Sequence, residues 1–117
     1  MNGQMISKGE KVFVITRRLF DGDLRRHFVG EVQEAINFAM RVQGYSFVFD
    51  EGMKQFVRRE EPRIRIFSLI DAGLVINILP EHACIEEMQY RWDEQNRRML
   101  SDEKSFSLNI SEFTTQR

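Results

Sequence analysis

Residues 44–59 read G-Y-S-F-V-F-D-E-G-M-K-Q-F-V-R-R, and this stretch decides the fold class. Aromatic side chains occupy every second position from Tyr45 to Phe49, which is the period of two expected of a half-buried β-strand. The turn sequence Asp50-Glu51-Gly52 follows, and residues 54–59 resume as a second strand. The stretch therefore predicts a β-hairpin.

The same pattern extends over most of the chain and predicts a mainly β fold, a small barrel or sandwich. Pro62 cannot donate a hydrogen bond to a strand ladder and marks a bulge, an edge or a loop. Residues 74–79 (L-V-I-N-I-L) are the most continuously apolar segment, which is typical of a central or interface strand. Residues 81–87 predict a short helical turn or a loop. Further strands are predicted over residues 11–16, 63–70, 88–92, 97–100 and 106–110.

Residues 23–44 are the ambiguous part of the chain. Their apolar residues follow helical spacing, with Asp23 placed as an N-cap and Gly44 as a C-cap. A helix would carry Gly30 in its interior at a cost of about 1 kcal/mol relative to Ala. We favour two strands that break near Ile36-Asn37, because the sequence that follows is β throughout. The isolated glycines are interpreted as turns or β-bulges.

Length and composition limit the function classes. A chain of 117 residues with 42% apolar residues predicts one domain over residues 11–113, a flexible N-terminus over 1–10 and a tail over 114–117. The net charge of -1 excludes a uniformly basic nucleic-acid binder but not a local basic patch. Cys84 is the only cysteine, no signal peptide is recognised, and no apolar run reaches ~20 residues. We therefore expect a cytoplasmic protein without a membrane association.

The segment around His82 and Cys84 is the best candidate for an enzymatic site. Histidine, cysteine and the nearby carboxylates can bind zinc, and a thiolate beside a histidine can act as a nucleophile. One cysteine and one nearby histidine are fewer ligands than a structural zinc site needs, and a surface loop with a small thiol explains the same residues. We therefore predict no catalytic residue, no metal and no cofactor, and keep a metal-dependent enzyme using the His82/Cys84 region as an alternative.

Arginines and aromatic residues carry the hypothesis of a binding function. Many of the arginines are paired along the sequence, as in Arg58-Arg59, and paired guanidinium groups suit planar carboxylates or phosphates. Solvated strand edges and inter-strand or inter-subunit salt bridges explain the same pairs, and we favour this explanation over phosphate binding. The aromatic residues from Tyr45 to Phe49 could stack on unpaired bases, but an ordinary β core has the same pattern, and we favour the core.

Two segments resemble the Sm-like (LSm) family of small β-barrels. Residues 28–42 (F-V-G-E-V-Q-E-A-I-N-F-A-M-R-V) resemble its first motif, and residues 69–80 (L-I-D-A-G-L-V-I-N-I-L-P) resemble its second. The resemblance implies a strongly bent antiparallel barrel whose copies close into a ring by strand pairing, here with an extra C-terminal β-hairpin over residues 88–110. The chain departs from the family where Asn37 follows Ile36 rather than an aspartate, and where Asp71-Ala72-Gly73 replaces an Arg-Gly turn.

Three functions follow as hypotheses. The first is a non-catalytic, homo-oligomeric binding module that contacts RNA or another nucleic acid through arginines. The second is a protein-interaction or structural domain without nucleic acid, and the third is the metal-dependent enzyme. The ligand-binding candidates are Asn37, Arg41, Arg58, Arg59, Arg63 and Arg65. The oligomer-interface candidates are Leu74, Val75, Ile76 and Ile78.

Overall fold

The computed structural model describes residues 5–16, 26–70 and 73–110. Within these ranges every regular element except one short 3₁₀ turn is a β-strand, and all strand pairs are antiparallel. The mainly β prediction is confirmed. The elements are β1 (Lys11–Thr16), β2 (Arg26–Ile36), β3 (Ala39–Asp50), β4 (Gln55–Arg58), β5 (Arg63–Ser68), β6 (Leu74–Leu79), the 3₁₀ turn Ile85–Glu87, β7 (Gln89–Trp92), β8 (Arg98–Ser101) and β9 (Ser107–Asn109).

The strands form two sheets. The larger sheet has the order β4-β3-β2-β1-β6, and β5 also pairs with β3. β4 and β5 both lie on the outer side of β3, because β4 pairs with residues 47–50 and β5 with residues 39–44. Pro62 lies in the loop between them. The smaller sheet is the meander β7-β8-β9.

The sequence-based prediction of a closed Sm-like barrel is not confirmed. Closure would need β6, at one edge of the larger sheet, to pair with β4 or β5 at the other. In the described residues β6 pairs only with β1, and β5 only with β3. β6 is therefore an edge strand rather than a central one. The C-terminal segment is also more than a hairpin, since its third strand β9 completes a separate sheet.

The ambiguous segment is a long hairpin, so the preference for strands over a helix is confirmed. β2 and β3 pair from Arg26↔Val48 to Ile36↔Ala39, and Asn37 lies in the turn. Gly30 and Gly44 face each other in mid-strand, where neither forms a turn or a bulge. The bulge lies between Val32 and Glu34 instead.

Glycine is required at both positions because the paired backbones approach too closely there for a side chain. A Cβ on Gly44 would press on the carbonyl oxygen of Val29 and lie 2.5 Å from the Cα of Gly30. A Cβ on Gly30 would meet the carbonyl oxygen of Gln43. Glycine in a strand interior commonly marks such an approach of one backbone to another.

The larger sheet buries apolar side chains on both of its faces. We call the face that meets the smaller sheet the inter-sheet face, and the other one the opposite face. The inter-sheet face packs on the smaller sheet around Phe13, Val29, Phe47, Leu79, Ala83, Ile85, Met88 and Leu100. The opposite face carries Val12, Val14, Phe28, Val32, Met40 and Val42. β1 shows the alternation directly, because Phe13 belongs to the first cluster and its two neighbours to the second.

We predict that Gly44→Ala lowers the free energy of unfolding by about 3 kcal/mol, because the new methyl group forces the two backbones apart. Gly52→Ala is the matched control, since its methyl group meets no backbone atom and lies 3.3 Å from a side-chain oxygen of Asp50. Chemical denaturation measures both variants. Equal stability of Gly44→Ala and the parent chain would contradict the close approach of β2 and β3 at this position.

Candidate binding surfaces

A groove of about 810 Å³ opens beside the inter-sheet face. Its walls come from the N-terminal segment, from β2 and β3, and from the loop that contains the 3₁₀ turn. It brings together Tyr45, His82 and Cys84, and a hydrogen bond joins the side chains of Gln33 and Gln43 along it, at 2.7 Å. The groove is lined by Lys8, Gly9, Lys11, Glu31, Val32, Gln33, Gln43, Gly44, Tyr45, Pro62, His82, Ala83, Cys84, Ile85 and Glu86.

Asp102 holds the loop wall of this groove in place. Its buried carboxylate accepts backbone N–H hydrogen bonds from Cys84, Lys104, Ser105 and Phe106 at 2.9–3.0 Å. Burial opposes the charged form, but the four donors outweigh it and hold the pKa of Asp102 well below its usual range. Asp102 therefore joins the β8–β9 turn to the loop as a structural anion.

A histidine and a thiol in the loop wall of the groove contact polar neighbours. Nδ1 of His82 hydrogen-bonds to the hydroxyl of Ser105 at 2.9 Å, and the thiol of Cys84 lies 3.9 Å from a carboxylate oxygen of Glu86. No group of three or more side chains that could hold a metal ion is found in the described part of the chain.

Arg58 belongs to the packing between the two layers. Its guanidinium donates hydrogen bonds to the carbonyl oxygens of Met88 (2.7 Å) and Glu86 (2.8 Å), and it lies 4.2 Å from the ring centroid of Tyr45. The remaining nitrogen, Nε, is buried without a hydrogen-bond partner. Arg58 thus clamps the end of β4 to the loop that leads into β7.

The other predicted ligand-binding residues do not share one surface. Arg41 lies on the inter-sheet side of β3 and forms an exposed ion pair with Glu34 at 3.8 Å. Asn37 is exposed at the far tip of the long hairpin, and Arg59 is exposed in the loop after β4. The structure therefore separates Asn37 and Arg41 from the arginines of β5.

Arg63 and Arg65 of β5 both lie on the opposite face of the larger sheet. Arg65 pairs with Val42, which is buried on that face, and Arg63 is two residues away and therefore on the same side. Arg65 is half-buried, with its guanidinium carbon 6.0 Å from the ring centroid of Phe28. Burial, and then the charges of Arg26 and Arg63, lower the pKa of Arg65. Arg26 therefore belongs to the same group of cations, which the sequence pattern did not reveal because it depends on the register of β2.

Sequence reasoning also missed an aromatic cluster between the sheets. His27 stacks on Phe56 with ring centroids 4.4 Å apart, and its Nδ1 hydrogen-bonds to the hydroxyl of Tyr90. Tyr90 in turn stacks on Phe47 at 4.4 Å, so this face packs internally and the predicted core role of Phe47 is confirmed. Burial, with the nearby charge of Arg98, lowers the pKa of His27 from 6.5 to about 4.

Apolar side chains are exposed at both edges of the larger sheet. On β5, Ile64 and Ile66 are 58% and 67% exposed, and on β6, Val75 and Ile78 are 57% and 49% exposed. Leu74 and Ile76, the other two interface candidates, pack instead against the cluster on the opposite face. The four residues of β6 are thus divided between the core and the edge.

No known protein family matches the chain, and neither do any of the characterised proteins and solved structures compared with it. In the described ranges, the structure contains no helix long and apolar enough to cross a membrane.

We predict that the free energy of unfolding falls as the pH drops from about 6.5 towards 4, because His27 takes up its proton at a higher pH in the unfolded chain than in the folded chain. The contribution of His27 amounts to about 2 kcal/mol between about pH 7 and about pH 5, where carboxylates titrate little. His27→Gln flattens this part of the profile, whereas His82→Gln, a surface control, retains it. Denaturant titrations along a pH series measure the slope, and an unchanged slope in His27→Gln would contradict the assignment.

Proposed function

We propose that the protein is a non-catalytic binding module that assembles with copies of itself through β5 and β6. The observation that supports this most directly is the pair of edge strands at opposite ends of the larger sheet, both with exposed isoleucine or valine side chains. Apolar edge strands commonly pair with another chain. In the described residues, neither edge carries a further strand.

The two edges are complementary in their side-chain pattern. Ile64 and Ile66 lie on the inter-sheet side of β5, and Val75 lies on the same side of β6, where it pairs with Ile15. A sheet that continued from β5 of one copy into β6 of the next would place these side chains together. Such a contact is heterologous, and it generates a ring if the rotation closes.

The module's binding role is a second part of the proposal. The positive charges of Arg63 and Arg65 on one face favour an anionic partner, and we propose nucleic acid as that partner. Near-neutral net charge confines such binding to a local patch.

A protein-interaction domain without nucleic acid is the competing function. Three exposed apolar side chains lie near the C-terminal end of β5 and add to the apolar surface of that strand. They are Ile36, Phe38 and Ile70, which are 45%, 58% and 80% exposed. A large exposed apolar patch commonly marks a protein contact. The metal-dependent enzyme gains no comparable support, and we do not propose it.

We predict that Ile66→Lys and Val75→Lys each reduce the assembled protein to a monomer, because each places a charge in the shared interface. Met53→Lys is the matched control, since Met53 is 58% exposed outside both edges. Light scattering after size-exclusion chromatography measures the mass of each variant.

An equimolar mixture of the two variants tests the heterologous geometry. Each variant keeps one unaltered edge, so the mixture forms a dimer with a single junction and no larger species. A parent chain that is strictly monomeric at micromolar concentration would contradict the assembly, and so would variants with the parent's mass. A complex with one other protein, without nucleic acid, would support the competing function.

A further inference from the structure

Three arginines lie on the opposite face of the larger sheet, near the start of β5. Arg63 and Arg65 come from β5, opposite Gly44 and Val42 of β3. Arg26 comes from the start of β2, where it pairs with Val48. Phe28 links the two strands, because it lies two residues from Arg26 on the same face of β2, and the guanidinium carbon of Arg65 is 6.0 Å from its ring centroid.

Arg65 is the most buried of the three. It is half-buried, and its guanidinium lies over the buried ring of Phe28. Burial restricts the side chain and removes part of its water shell, so its charge acts on neighbours with less screening than a fully exposed charge. Arg63 and Arg26 are exposed beside it.

The carboxylate that the structure places beside this group compensates it weakly. Glu61 lies 3.6 Å from Arg63, and its own side chain is 79% exposed. An exposed ion pair of this length contributes little. Burial lowers the pKa of the Arg65 guanidinium below its usual range, and repulsion from the charges of Arg26 and Arg63 lowers it further. A bound anion would relieve this repulsion.

We propose that Arg26, Arg63 and Arg65 form a binding site for a phosphate group. Guanidinium groups bind phosphate oxygens through paired, charge-assisted hydrogen bonds, which explains why three arginines rather than three lysines suit the site. The proposal rests on the binding part of the proposed function and is independent of self-assembly. Two sources supply the same chemistry, a small phosphate compound and the backbone of a nucleic acid.

Binding of two probes tests the site on the full chain. One probe is inorganic pyrophosphate, followed by calorimetry, and the other is a fluorescent single-stranded RNA of about 12 nucleotides, followed by anisotropy. We expect the parent chain to bind at least one probe at low salt and to bind it less tightly as salt rises. Binding of both identifies a general phosphate site, and binding of RNA alone identifies a nucleic-acid backbone site.

The double variant Arg26→Gln/Arg63→Gln keeps Arg65 over Phe28 and removes two of the three charges. We expect it to weaken probe binding by about tenfold or more, as loss of charge-assisted hydrogen bonds implies. We also expect a higher melting temperature without ligand and a smaller rise on adding pyrophosphate. Arg41→Gln is the matched control, because it removes an exposed, ion-paired arginine from the other face of the sheet.

The site is refuted if the parent chain binds neither probe, or if the double variant binds as tightly as Arg41→Gln. Failure here is distinguishable from failure of self-assembly, because light scattering reports the assembly without either probe. A chain that assembles but ignores both probes overturns the phosphate site alone. A chain that binds phosphate as a monomer overturns the assembly alone.

Discussion

The close approach of the two backbones at Gly30 and Gly44 is the constraint on which the rest of the fold depends. Any side chain at either position would collide with the opposite backbone. The close approach lets β2 pair along its length with residues 39–48 of β3, and β1, β4 and β5 then pair directly with this hairpin. The same two strands bring Arg26 towards the arginines of β5 and put His27 and Phe47 on the face that receives the smaller sheet.

The smaller sheet packs on the larger one through apolar contacts and a few polar groups with fixed roles. Asp102 joins the loop after β6 to the β8–β9 turn, because its carboxylate accepts one hydrogen bond from Cys84 in the loop and three from backbone N–H groups of the turn. Arg58 holds the other end of the loop through two carbonyl oxygens. The His27–Tyr90 pair lies between the sheets. Because burial disfavours a charged imidazole, this contact stabilises the packing of the sheets most when His27 is neutral. These groups stabilise the packing of the two sheets.

The alternation of side chains predicted the strands well, since burial on one face imposes a period of two that the sequence records directly. Residues 74–79 form β6 as predicted, and the hairpin over residues 44–59 is present within β3 and β4. The barrel prediction is not confirmed, and the period of two could not decide it, because that period does not show which strand edges meet. Arg58 looked like a ligand-binding residue for a related reason, because only the packing of the smaller sheet shows that its guanidinium contacts two carbonyl groups. The role of Arg26 depends on register, which local patterns do not encode.

Self-assembly through the two edge strands is the central claim, and backbone hydrogen exchange tests it most directly. Amide exchange in peptides covering β5 (Arg63–Ser68) and β6 (Leu74–Leu79) should slow as the protein concentration rises, while exchange in β9 (Ser107–Asn109) stays constant. Both edges should gain protection together, since one junction uses both. Exchange in β5 and β6 that does not depend on concentration, in a chain that light scattering shows to be monomeric, would contradict the account.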